Sequence, residues 1–390
     1  MRVSRGWIVG VLVAGVALSR PFAQEPATDP PHPIEPPAAA FPSEAESARI
    51  SRFSFIAYGD TRSQVDGRAL QPDHGALIDG MLQAVAARST TRFPVKFALH
   101  SGDAVSRGTE SVQWDVSFSP LVEKLTRGVG LWYFYSAGNH DAPALPASRA
   151  IGLRNTIAAV SKLIPAEGSP RRLNGYLTYT VGYGNVFAMA IDSNIADDPT
   201  QIAWITSQLE RLDRSRYRHV VAFFHHPMFS SGPHGGSSQG ATSASSSTDN
   251  VEVQTAAMRN LYGPLFRRHH VRMTITGHDH LHEHWVERYS DGNTAYRMDH
   301  VVTGGGGAPI YTYRGEPEVA AYLASGAAQR VSLEHLMKPG TDVAENPHHF
   351  VVIQVDGDRL WQEVIGIGAV PYRPYNGQSR IALNDPSASR

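Results

Sequence analysis

Residues 131–141 read LWYFYSAGNHD, an apolar run of strand length that breaks at a glycine and delivers an amide, an imidazole and a carboxylate in succession. The same pattern recurs on either side. Upstream, FSFIAYGD (53–60) and VKFALHSGD (95–103) each end in an aspartate; downstream, HVVAFFHHP (219–227) and VRMTITGHDH (271–280) end in histidines. Between these runs lie amphipathic helical stretches, and that alternation is the signature of an α/β protein. Polar groups set repeatedly at strand ends converge on one edge of a sheet. The pattern therefore predicts a single site built from Asp60, Asp103, Asn139, His225, His278 and His280.

The 390 residues are 42% hydrophobic, which allows one large domain or two ordinary ones and a sizeable core. With 35 basic and 36 acidic residues the formal charge is −1, so there is no electrostatic reason to expect nucleic acid or an anionic membrane as a general partner. Eighteen His and no Cys exclude thiolate metal sites, disulfides and cysteine nucleophiles together. Any metal has only nitrogen and oxygen ligands.

Residues 1–23 join a basic start (MRVSR) to the apolar GWIVGVLVAGVALS and a small residue at Ala23, which reads as a secretory signal peptide. The apolar run is shorter than the roughly 20 residues that span a bilayer. An exported, periplasmic or secreted protein is expected, with no membrane association after cleavage. Residues 24–49, rich in Pro and Ala, predict an extended tether that buries little. Residues 50–370 form the expected catalytic domain, and 371–390 a fraying tail.

Apolar stripes at helical spacing (Leu77, Ile78, Met81, Leu82, Val85; Trp114, Phe118, Leu121, Val122, Leu125; Ile202, Ile205, Leu209, Leu212) read as core. YLTYTVG (176–182) and VFAMAID (186–192) meet through Gly184 and Asn185, which predicts a hairpin and hence a mixed sheet. The Gly- and Ser-rich stretch 230–250 follows His225 closely and is expected to be a loop over the site.

Two cations about 3.5–4 Å apart need a bridging ligand, which a carboxylate supplies and an amide or imidazole does not. Asp103 is the candidate bridge. Asp60 then serves one metal, and Asn139 gives the other a neutral oxygen that keeps the site able to accept a phosphate. In GHDH the two histidines sit two residues apart, so on an extended segment both face the same side. His226 faces away from His225 and reads as structural. The run Gly304–Gly307 lacks a following GK[ST] and reads as close backbone packing beside the site.

In this order the motifs resemble the calcineurin-like metallophosphoesterase superfamily, and GHDHLHE (277–283) is especially similar to the purple acid phosphatase branch. The resemblance covers roughly residues 53–364. It implies an α/β four-layer sandwich of two mixed β-sheets flanked by helices, and two divalent or trivalent metal ions drawn from Mn, Fe or Zn. Asp60, Asp103 and His280 would hold one; Asp103, Asn139, His225 and His278 the other. It also implies hydrolysis of a small phosphorylated substrate, a phosphomonoester being favoured, by hydroxide on the metals attacking phosphorus in line. A phosphodiesterase or nucleotide hydrolase, or a member that binds without turnover, are the alternatives. His140 is the expected general acid, Asp141 the acceptor of its other ring proton, and Arg62 a fork for phosphate oxygens.

Two positions depart from the family pattern. Arg62 in GDTR stands where many members have the His of a DxH motif, and Ser106 stands where purple acid phosphatases have a tyrosine. The first-metal half is thus thinned, whereas the second is complete.

Overall fold

A computed structural model describes residues 29–63, 67–236 and 251–383. Thirteen strands are present among them: β1 (Arg52–Tyr58), β2 (Val95–His100), β3 (Trp132–Tyr135), β4 (Tyr179–Tyr183), β5 (Val186–Ala190), β6 (His219–Phe223), β7 (Met273–Thr276), β8 (His282–Asp291), β9 (Thr294–Thr303), β10 (Ser332–Met337), β11 (His349–Asp356), β12 (Arg359–Gly366) and β13 (Arg380–Leu383). They form two sheets, ordered β13-β12-β11-β1-β2-β3 and β10-β8-β9-β7-β6-β5-β4. Both are mixed: β1, β2 and β3 run parallel in the first, and β5, β6, β7 and β9 in the second, with antiparallel strands completing each.

The layering follows from side-chain alternation along the strands. On β5, Val186, Ala188 and Ala190 join the large core between the sheets, while Phe187 and Met189 face a second core under the helices Pro199–Glu210 and Gly263–Arg268. On β6, Val221 and Phe223 point inward, and Val220 and Ala222 outward. Helices Pro72–Arg88 and Ser119–Val129 cover the first sheet with Leu77, Ile78, Met81, Leu121, Val122 and Leu125. The result is helix, sheet, sheet, helix, as expected. The β4–β5 hairpin turns through Gly184 at φ 57°.

The two ends of the chain differ from expectation. Residues 29–49 do not hang free: Ile34 is fully buried and its N–H donates to Ala159 O, and Phe41 packs edge-on against Phe97, Trp132 and Phe134. Polar contacts add to these two apolar anchors, with Thr126 Oγ1 donating to Glu35 O, Trp132 Nε1 to Ala39 O and Arg171 paired with Glu44. Residues 371–383 do not fray either. Tyr375 is buried, with its hydroxyl against His282, His284 and Gln362, and β13 pairs with β12. His282 and His284 are buried in that contact. The signal-peptide segment and residues 237–250 of the expected loop lie outside the described residues. Among the described residues no helix is long and apolar enough to cross a membrane.

Candidate metal centre

Each sequence motif leaves the carboxyl end of a parallel strand: Asp60 after β1, Asp103 after β2, Asn139 after β3, His225 after β6 and His278 after β7. The two sheets bring these ends together. His278 N–H donates to both carboxylate oxygens of Asp60, at 3.0 and 2.9 Å, and His225 Nδ1 donates to Ser101 O at 3.0 Å, each bond crossing from one sheet to the other. Such a meeting of strand ends is where α/β folds place their sites. The glycine run after β9 closes it, with Gly306 N donating to Gly59 O and Ala308 N to Asp60 O.

Three of the converging residues hold a left-handed backbone: Asp60 at φ 60°, Asp103 at 57° and His278 at 69°. Non-glycine residues pay about 1–3 kcal/mol for such conformations and keep them where surrounding structure imposes them. Here the imposition is visible. A Cβ on Gly138 would fall on the Asp103 carboxylate, and one on Gly277 on that of Asp60. The GNHD and GH glycines therefore let their motifs approach the acids of two others.

Donor chemistry decides what the centre suits. A carbonyl only accepts, so the bond to Ser101 O fixes the proton of His225 on Nδ1 and leaves a lone pair on Nε2. That lone pair lies 2.9 Å from Asn139 Oδ1 and 3.4 Å from Asp103 Oδ1. Likewise His280 Nδ1 donates to Pro309 O at 2.7 Å, leaving Nε2 3.6 Å from Asp60 Oδ1. Burial holds both rings neutral, each lowered to about 3. Asp60 is pushed up by burial and then by the charge of Asp103. Burial also works against Asp103, yet the fixed charge of Arg62 and the main-chain N–H of His140 hold it below the ordinary range. Lone pairs thus face lone pairs and acid faces acid in a dry pocket, an arrangement that a bound cation satisfies. One ligand atom each from Asp60, Asp103 and His280 lies within 4.8 Å of the others, and so does a second set from His226, Glu252 and His278.

A family model for calcineurin-like phosphoesterases matches residues 77–282, over half of the chain. The chain belongs to the calcineurin-like phosphoesterase family. Membership of this family of phosphoesterases implies divalent metal ions. No curated protein matches this phosphoesterase. Among solved structures it resembles purple acid phosphatase PPD1 from yellow lupin (Lupinus luteus) seeds, at 17% identity and TM-score 0.57, over 86% of this chain and 54% of that one. The phosphoesterase thus spans about half the length of that enzyme. It is also similar to GAP50 of Plasmodium, at 13% identity and TM-score 0.47, over 86% of this chain and 90% of that one.

Other expected residues of the phosphoesterase take different places. Arg62 does reach the centre, with Nε 3.3 Å from Asp103 Oδ2 and Nη2 3.5 Å from His280 Nε2. His140 lies at the rim, its N–H on Asp103 Oδ1 at 2.9 Å and its Nε2 4.0 Å from Asp103 Oδ2. Asp141, however, does not hold the His140 ring. That task falls to Ser106 O, 2.8 Å from His140 Nδ1. The Asp141 carboxylate turns the other way and accepts from the N–H groups of Asp103 (2.7 Å), Ala104 (3.0 Å) and Gly138 (2.8 Å) and from the Tyr135 hydroxyl. It ties the GD turn to the GNHD turn.

Three neighbours of the centre escaped the sequence reading. Tyr311 stacks on His280 with ring centroids 4.2 Å apart; His234 packs at a tilt of 37° against His278, centroids 4.2 Å apart; and Glu252 Oε2 lies 2.6 Å from His278 Nε2. None belongs to a spaced motif. The available signals were the proximity of 234–252 to His225 in the chain and, for Tyr311, its place just after the run Gly304–Gly307.

Proposed function

We propose that the protein is an exported phosphomonoesterase with a dinuclear metal centre. Asp60, Asp103 and His280 would hold one ion, and Asp103, Asn139, His225 and His278 the other, with Asp103 between them. The observation that supports this reading is the set of proton-free donor atoms, His225 Nε2, Asn139 Oδ1 and Asp103 Oδ1, gathered within hydrogen-bond range with no proton among them. Bound cations would polarise phosphoryl oxygens and activate water for attack.

The chain's own groups divide the remaining work. Arg62 adds a fixed positive charge beside the first half, which favours a dianionic monoester over a monoanionic diester. His140, oriented by Ser106 O, presents Nε2 at the rim, where it can give a proton to the departing oxygen. Asp141 holds the two acidic turns at their spacing. The basic and apolar residues 1–23 support export, and the chain's lack of cysteine fits an oxidising compartment without requiring it.

Metal-replete protein assayed with p-nitrophenyl phosphate and bis-p-nitrophenyl phosphate tests the reading. It expects metal-dependent turnover with the monoester preferred, abolished by Asn139→Ala and reduced by His140→Ala. Turnover that survives both substitutions, or none with either ester, contradicts it.

A further inference from the structure

The three candidate imidazole ligands are oriented by different means. His225 and His280 each donate Nδ1–H to a main-chain carbonyl, that of Ser101 or of Pro309. His278 has a side chain in that role. Its Nε2 lies 2.6 Å from Glu252 Oε2, while Glu252 Oε1 lies 2.7 Å from His234 Nδ1. The ring of His234 packs on that of His278. Glu252 is about two-thirds buried, with one carboxylate oxygen on each imidazole.

An ionised carboxylate only accepts, so the contact puts a proton on His278 Nε2. Nδ1 then faces His225 Nε2 at 3.1 Å and thereby the Asp103–Asn139–His225 group. A ring held the other way round would present its lone pair to the carboxylate and a proton to the metal position. We propose that Glu252 is a positioning residue for the second metal, acting through His278 by fixing its tautomer and ring orientation, with His234 steadying Glu252 in turn. This inference rests on the dinuclear reading above and extends it to residues outside the family-like motifs.

His278 thereby differs from His225, whose acceptor sits at a strand end. Ser101 directly follows β2 and moves with the sheet, whereas His234 and Glu252 flank residues 237–250 in the chain. Affinity at the second metal therefore depends on where two loop residues sit. A charged acceptor also raises the basicity of the ligating imidazole more than a neutral carbonyl does, and partners of this kind are worth 10–100-fold in metal affinity.

Chelator competition for Zn on wild type, Glu252→Ala and Glu252→Gln, with metal counted at saturation, tests the proposal. It expects two metals in all three, one of them bound about 10–100-fold more weakly in Glu252→Ala. Glu252→Gln, whose amide oxygen still accepts from Nε2–H, should recover part of the loss. In zinc-loaded protein, ¹⁵N shifts of His278 should report Nε2–H in wild type and lose that signature in Glu252→Ala. Unchanged affinity in Glu252→Ala overturns the proposal. So does a variant that holds one metal fewer at saturation, which would make Glu252 a ligand itself. Absence of metal from the wild type would instead overturn the dinuclear reading, and this inference with it.

Discussion

Nε2 of His225 lies 3.4 Å from Oδ1 of Asp103, and no proton is available to place between them. The ring's one N–H donates to Ser101 O, and burial keeps the ring neutral. Left alone the contact is unfavourable; with a cation it becomes half of a coordination shell. His225→Ala should therefore remove one metal from the saturated protein while leaving the other, and lower p-nitrophenyl phosphate turnover by at least about 100-fold, or roughly 2.7 kcal/mol in the barrier. Elemental analysis alongside the assay checks both halves.

Gly277→Ala sets a Cβ against the Asp60 carboxylate, whereas Gly128→Ala in helix Ser119–Val129 meets nothing within 4 Å. The first should destabilise by about 1–3 kcal/mol through overpacking and weaken the metal site with it. The second should be stabilising by about 0.5–1 kcal/mol, because a helical glycine gains from a side chain. Urea midpoints for the two variants would report opposite signs.

Asp141→Asn should damage the scaffold and spare the acid. An amide has one oxygen for the donors that the carboxylate now satisfies, so buried N–H groups lose their partner at about 1–3 kcal/mol each. Since Asp141 does not touch the His140 ring, the activity that survives should keep the wild-type pH profile. A pH–rate curve whose acid-catalyst limb moves would restore the role first expected from their adjacency.

Far from the centre, Asp299 on β9 is fully buried against Arg272, Arg297 and His284. Burial alone would raise its carboxyl, but Arg272, His284 and Arg297 depress it far below the ordinary 3.8. With a depressed native value, the unfolded chain takes up the proton first as pH falls. The contribution is complete above about pH 4 and is lost progressively below it. Asp299→Asn should cost about 3–5 kcal/mol near neutrality by stranding buried guanidinium groups, and should flatten the acid limb of stability against pH. Guanidinium unfolding at pH 3, 5 and 7 reads both.

Most of the candidate site was legible because residues at strand ends follow chain order: the apolar runs set where Asp60, Asp103, Asn139, His225 and His278 would fall, and parallel strands aligned their ends. What escaped lies where chemistry and periodicity part. Helix Pro146–Val160 does set Leu153, Ile157 and Val160 against the core, but the buried Gly152, Asn155 and Thr156 beside them break up the apolar stripe. Strand β10 pairs at a sheet edge with mostly half-exposed side chains, so its sequence shows no alternation. Asp141 misled because adjacency in the chain says nothing of which way a carboxylate turns once the GNHD loop closes. Glu252 belongs to no motif, and only the fold brings it to His278.

Anomalous diffraction from crystals grown with Mn and phosphate measures the central claim most directly. Two peaks about 3.5–4 Å apart are predicted, with Asp103 reaching both. Asn139, His225 and His278 should surround one, and Asp60 and His280 the other. A single peak, or a pair that Asp103 does not bridge, would contradict it.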